Sequence, residues 1–142
     1  MPTRRRELYT HHLPALVWLS LVTLALAVPG DRADLPEWWP RILHFHALDK
    51  VIHGLLFLVA GLLLARSLRC LSRVARPALA ACALLVAYGA ATEVVQHLLT
   101  TRSGEAADFA ADAAGAAAGA AFSAAVAARR DRPPAAGAEA RR

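Results

Sequence analysis

Residues 93–119 read EVVQHLLTTRSGEAADFAADAAGAAAG. An apolar helix gathers Glu93, Gln96 and His97 near its end and breaks at Thr101-Arg102-Ser103-Gly104. A second helix, almost all alanine, then begins and carries Asp108 and Asp112 on the face that also holds Gly115 and Gly119. A turn this short joins only antiparallel neighbours. An acid at the centre of a bilayer costs roughly 2.5–3.5 kcal/mol on insertion scales. Three acids in adjacent apolar helices therefore need partners, and the rest of the chain either supplies them or anchors them.

Outward from this hairpin, four apolar runs account for most of the chain. Residues 13–28 contain no Asp, Glu, Lys, Arg or His. Residues 51–65 contain only His53 of these types, residues 77–100 only Glu93 and His97, and residues 106–128 only Asp108 and Asp112. Each run is near the ~20 residues that cross ~30 Å of hydrocarbon at about 1.5 Å per residue. With 57% hydrophobic residues among 142, the sequence predicts one all-α domain. It is a four-span transmembrane helical bundle with spans at about 13–29, 48–65, 77–100 and 106–128. A basic lead at 1–12, an outer loop at 30–47, an inner loop at 66–76 and a disordered tail at 129–142 complete the layout. A soluble bundle needs a polar face on each helix, and residues 13–28 have none. Arg4-Arg5-Arg6, an apolar run and Ala25-Leu26-Ala27 also fit a signal peptide, whose cleavage would leave the remaining topology unchanged.

The basic residues mark orientation. Arg4, Arg5 and Arg6, then Arg66, Arg69, Arg73 and Arg76, then Arg129, Arg130, Arg132, Arg141 and Arg142 are twelve of the sixteen Lys and Arg residues. All twelve fall on one side if the spans alternate. This positive-inside pattern predicts a multi-pass membrane protein with both termini cytoplasmic. It also explains the basic balance without a nucleic-acid partner; membrane lipids are the expected surroundings. Cys70 and Cys82 read as small packing residues on the reducing side. Pro14 reads as a first-turn residue, and Trp18 as lying close to the inner interface. Trp38, Trp39 and Phe45 suit a segment at headgroup level, with His44 and His46 as solvated loop histidines.

The same topology gathers the polar residues. Asp49, Lys50 and His53 open the second span on the outer side, and Glu93, Gln96 and His97 close the third there. Arg102 lies in the outer turn, and Asp108 and Asp112 open the fourth span. Asp49/His53, Glu93/His97 and Asp108/Asp112 are each i,i+4 pairs, so each shares one helix face. Lys50 is set about 100° from Asp49 around the helix and is expected to contribute little. Gly115-x-x-x-Gly119 is a surface for close helix packing. Asp49, Glu93, Asp108 and Asp112 against Lys50 and Arg102 leave a charge of −2 if all are ionised. Protonated carboxyls, charged histidines or a divalent cation would neutralise it. The candidates for metal ligation are Asp49, His53, Glu93, His97, Asp108 and Asp112. An interhelical polar clamp is the purely structural reading. No HExxH motif, cysteine cluster, P-loop or GxGxxG is present.

The order Asp49-Lys50-x-x-His53, Glu93-x-x-Gln96, Arg102 and Asp108-x-x-x-Asp112-x-x-Gly115-x-x-x-Gly119 resembles the VanZ-like family, small bacterial membrane proteins named for teicoplanin resistance. The likeness covers roughly residues 49–119. It implies a role in resistance to lipid-bearing antibiotics at the cell envelope, without fixing a reaction. Asp112 stands where the family often has Asn, which adds a negative charge and favours cation or proton binding. Gly54 stands where an aromatic or other apolar residue is usual. The expectation is an outer-side polar pocket that recognises an anionic lipid-linked envelope component or a lipid-tailed glycopeptide antibiotic. An enzyme acting on a lipid headgroup, with or without a metal, and an ion- or proton-coupled carrier are the rival expectations.

Overall fold

The structure, a computed structural model, describes residues 8–27, 46–71, 73–99 and 106–132. The side chains of Asp49, Gln96 and His97, and all of residues 28–45 and 101–105, lie outside the described set. The expectations for Trp38, Trp39, His44, Phe45, the side chain of His46 and Arg102 therefore fall outside it too. Four α-helices are described: α1 (Leu13–Ala27), α2 (His46–Arg69), α3 (Pro77–Leu99) and α4 (Ala106–Arg130). All four, α1 together with the helical turn that precedes it, are long and apolar enough to cross a membrane. No strand occurs among the described residues.

The burial pattern is the inverse of a water-soluble bundle. Inside are Ala15, Ala60, Ala65, Ala81, Ala116 and Ala120, while Leu16, Leu21, Leu24, Leu55, Leu79, Leu84 and Phe122 face outward. Small residues between helices with leucine outside is what packing in lipid produces, because lipid tails accept leucine as readily as the core does. This marks a multi-pass membrane protein. The larger core residues form one cluster, in which Val22 and Leu26 of α1, Phe57 of α2 and Leu85 of α3 meet Ala116 of α4.

Cross-helix contacts fix the directions. Trp18 and Leu56, Thr23 and Tyr88, and His12 and Ser67 are hydrogen-bonded pairs. The first and third set α1 antiparallel to α2, and Ala81 beside Ala65 with Gly89 beside Phe57 sets α3 antiparallel to α2, so α1 and α3 run parallel. Lys50 meets Asp108 and Arg69 meets Ser123, so α2 and α4 run parallel. The start of α1, the residue 70–76 connection and the end of α4 thus share one end of the bundle. The other end holds the first turns of α2 and α4 and the last turns of α3.

Several boundaries and side chains depart from expectation. The inner connection is shorter than 66–76, because α2 continues to Arg69 and buries Ser67 on the way. Arg129 and Arg130, expected in a disordered tail, instead complete α4. Within the 1–12 lead, the described residues Leu8–His12 form a π-helical turn. Pro14 therefore sits inside a continuous helical run, and its missing N–H is accommodated where the winding is already loose. Trp18 Nε1 donates to the Leu56 carbonyl at 2.9 Å, bonding α1 to the backbone of α2. Cys70 is exposed instead of packed, as it follows the last residue of α2.

Candidate functional site

The α2–α4 contact builds the site. α4 buries Asp108, Asp112, Gly115, Ala116, Gly119, Ala120 and Ser123, a stripe at helical spacing with no side chain larger than aspartate. A methyl group placed on Gly115 would fall on the Gly54 carbonyl, and one on Gly119 on the Leu58 carbonyl. Backbone thus touches backbone, and a methyl on Gly61 of α2 would likewise meet the Ala116 carbonyl. This close approach leaves the aspartates of α4 within short reach of α2.

Two pairs result. Lys50 Nζ donates to Asp108 Oδ1 at 3.2 Å, and His53 Nδ1 lies 3.0 Å from Asp112 Oδ1. The lysine side chain is 32% exposed, against 11% for Asp108, so this pair is the outer one. His53 and Asp112 are 3% and 1% exposed. Lys50 therefore contributes to the site although it is one residue from Asp49, because its long stem carries the ammonium around the helix to α4.

The third wall is α3. Gly89 faces the aspartate: a methyl there would lie 3.5 Å from Asp112 Oδ2 and 3.4 Å from the Phe57 ring. Glu93 follows one turn later on the same face of α3. One donor atom each of His53, Glu93 and Asp112 lies within 4.8 Å of the others. Asp112 Oδ2 is buried and has no hydrogen-bond partner. An unsatisfied buried polar atom is uncommon in native proteins and points to something that completes it.

The structure thus brings together Lys50, His53, Glu93, Asp108 and Asp112, from three helices, at the end where α2 and α4 begin. Gly115 and Gly119 lie next along the same seam. Gln96 and His97 lie on the final turns of α3, at the same end, with side chains outside the described set. Asp49 lies on the first turn of α2, likewise without a described side chain. Arg102 lies outside the described residues.

Sequence reading missed the polar contacts at the opposite end. Arg69 Nη2 donates to Ser123 Oγ at 2.6 Å and to the Ser123 carbonyl at 2.9 Å, and His12 Nδ1 lies 2.6 Å from Ser67 Oγ. A serine in an alanine-rich or leucine-rich span was the available signal. A cavity of about 350 Å³ opens there, lined in part by His11, Arg66, Arg69, Ser123 and Arg130. It lies roughly 25–30 Å along α2 from Lys50, at 1.5 Å per residue, so it is separate from the carboxylate centre. Among known proteins, no family model, curated protein or solved structure matches the chain.

Proposed function

We propose that this chain is a VanZ-like protein of the bacterial plasma membrane. Its polar centre would open to the extracytoplasmic leaflet and recognise an anionic group carried on a lipid anchor. Such a group belongs to a lipid-linked cell-envelope component or to a lipid-tailed glycopeptide antibiotic of the teicoplanin type. The observation that carries the reading is the gathering of Lys50, His53, Glu93, Asp108 and Asp112 at one end of an otherwise apolar bundle. A ligand whose tail stays in lipid meets that end at headgroup depth. The orientation follows from charge. Arg66, Arg69, Arg73, Arg76, Arg129, Arg130 and Arg132 crowd the opposite end, which the positive-inside rule assigns to the cytoplasm. Lys50 and Arg102 are the cations available for phosphate or carboxylate groups.

The test uses Lys50→Ala and Arg102→Ala in a bacterial host. Tolerance to a lipid-tailed glycopeptide should fall while the amount of protein in the membrane stays constant. Mass spectrometry should find less anionic lipid-linked material with the purified variants. Normal insertion with unchanged tolerance and unchanged lipid content would remove the reading. One observation favours a second reading, a headgroup-directed enzyme. The His53–Asp112 pair at 3.0 Å has the form of a general base oriented by a carboxylate. Turnover of a lipid headgroup in proteoliposomes, lost in His53→Gln, would establish it.

A further inference from the structure

We infer that His53, Glu93 and Asp112 hold a divalent first-row cation of the Zn²⁺ or Mn²⁺ type, and that this cation receives the anionic group of the ligand. The inference deepens the headgroup reading above and rests on it for its second half.

The donor set comes first. One imidazole and two carboxylates, each from a different helix, offer one nitrogen and two oxygens within 4.8 Å of each other. Zn²⁺ and Mn²⁺ accept such mixed sets, whereas Mg²⁺ and Ca²⁺ prefer oxygen alone. Bonds of about 2.0–2.2 Å at tetrahedral angles place donors about 3.3–3.6 Å apart, so a pair at 4.8 Å would close by up to about 1.5 Å on binding. Three protein ligands leave a coordination position open, as in zinc sites that act on a bound molecule and unlike closed structural sites.

The second observation is independent of the clustering. Asp112 is 1% exposed, and its Oδ2 has no hydrogen-bond partner. A proton on that oxygen would leave a buried donor without an acceptor, and an ionised carboxylate, even with His53 at its Oδ1, would leave Oδ2 a buried acceptor with no donor. Either state carries a penalty that protein–protein contacts leave uncompensated. A cation bonded to Oδ2 removes both. Oδ2 faces α3 at Gly89, one turn from Glu93, which is the direction in which the third donor lies.

Charge supplies the third argument. Glu93, Asp108 and Asp112 against Lys50, all of them at this centre, sum to −2 when ionised. A centre with that balance in a low dielectric repels the anion it is proposed to recognise. A dication brings the sum to zero and places the positive charge where an anionic oxygen can complete the coordination shell. Lys50 stands one turn from His53 and can take a second oxygen of the same group. Its pairing with Asp108 keeps it there between binding events.

The experiment uses the full chain purified in detergent, stripped with a chelator and titrated with Zn²⁺ or Mn²⁺ alone. One equivalent should bind, measured by calorimetry and by elemental analysis after desalting. Replacing an outer partner of a metal ligand typically lowers affinity 10–100-fold. Asp112→Asn, Glu93→Gln and His53→Gln remove the ligands themselves and should each lower it by about 100-fold or more. Cys70→Ser, exposed at the opposite end of the bundle, should bind the ion within a few-fold of wild type. A wild-type chain that retains no ion, or an Asp112→Asn variant that binds as tightly as wild type, overturns the site. Because the first of these uses the unaltered protein, a variant that fails to fold does not shelter the idea. Co-purifying anionic lipid is then measured with and without chelator. Lipid retained by a chain that binds no ion would sink the cation and leave the headgroup reading standing. An ion bound without any anionic lipid would do the reverse.

Discussion

Gly119→Ala tests the seam on which the site depends. In an ordinary helix interior the change from glycine to alanine gains about 0.8–1 kcal/mol of helix propensity. Here the added methyl would fall on the Leu58 carbonyl oxygen, with the Leu58 carbonyl carbon and the Leu62 nitrogen each 2.8 Å away. These are backbone atoms of α2, so no rotamer change relieves the overlap, and the two helices must part. Overpacking of a tight core costs about 1–3 kcal/mol, and rigid neighbours place this site at the upper end. Subtracting the propensity gain leaves a net loss of about 2 kcal/mol. Gly54→Ala is the matched control, since its methyl would meet only the Ala111 carbonyl at 3.6 Å, an ordinary contact. That variant should match wild type or exceed it by up to ~1 kcal/mol. Reversible unfolding in mixed micelles, followed by helical circular dichroism, measures both. Equal stability of the two variants would refute the claim that α2 and α4 touch through backbone at Gly119.

Three further outcomes follow from the same contacts. His53→Ala leaves Asp112 buried without its partner and should cost about 3–5 kcal/mol, whereas His53→Leu with Asp112→Leu should recover much of that loss; the same unfolding assay decides. Arg69→Ala and Ser123→Ala remove the 2.6 Å bond at the arginine end. Each should cost about 1–2 kcal/mol, and a double-mutant cycle should show about 1 kcal/mol of coupling. Exposed Cys70 reports orientation: in intact cells a membrane-impermeant maleimide should leave it unlabelled, and it should react after permeabilisation. Labelling from outside would invert the topology and put the carboxylate centre in the cytoplasmic leaflet.

How far the chain could be read without coordinates depends on the kind of signal. Four apolar runs and their count were legible because a lipid-crossing helix needs length and apolar composition and little else. The ends of α2 and α4 were not. Arg66, Arg69, Arg129 and Arg130 look like loop residues by charge, yet long arginine stems allow a helix to continue beyond the hydrocarbon. In the site, the i,i+4 spacing of Asp108 and Asp112 showed a shared face, and Gly115-x-x-x-Gly119 showed where a neighbour could approach. Which neighbour, and in which direction, required coordinates: α4 packs on α2, its parallel companion, as well as on α3, its partner in the short hairpin. The role of Lys50 was underestimated because angular position on a helix wheel ignores the reach of a long side chain. Ser67 and Ser123 were overlooked because a lone serine in a span carries no periodic signal.

The seam between α2 and α4 also has a vernier built into it. Its aspartates are spaced by four residues and so are its glycines, so sliding α4 one turn along α2 would set Asp108 against His53 and Gly115 against Leu58. That alternative seat fails on size, because Ala111 would take the place of Gly115, where a methyl falls on the Gly54 carbonyl. The end stops add to this: Lys50 would lose Asp108, and Ser123 would travel past Arg69. The order of glycines along the seam and two polar latches at its opposite ends thus choose the same single alignment.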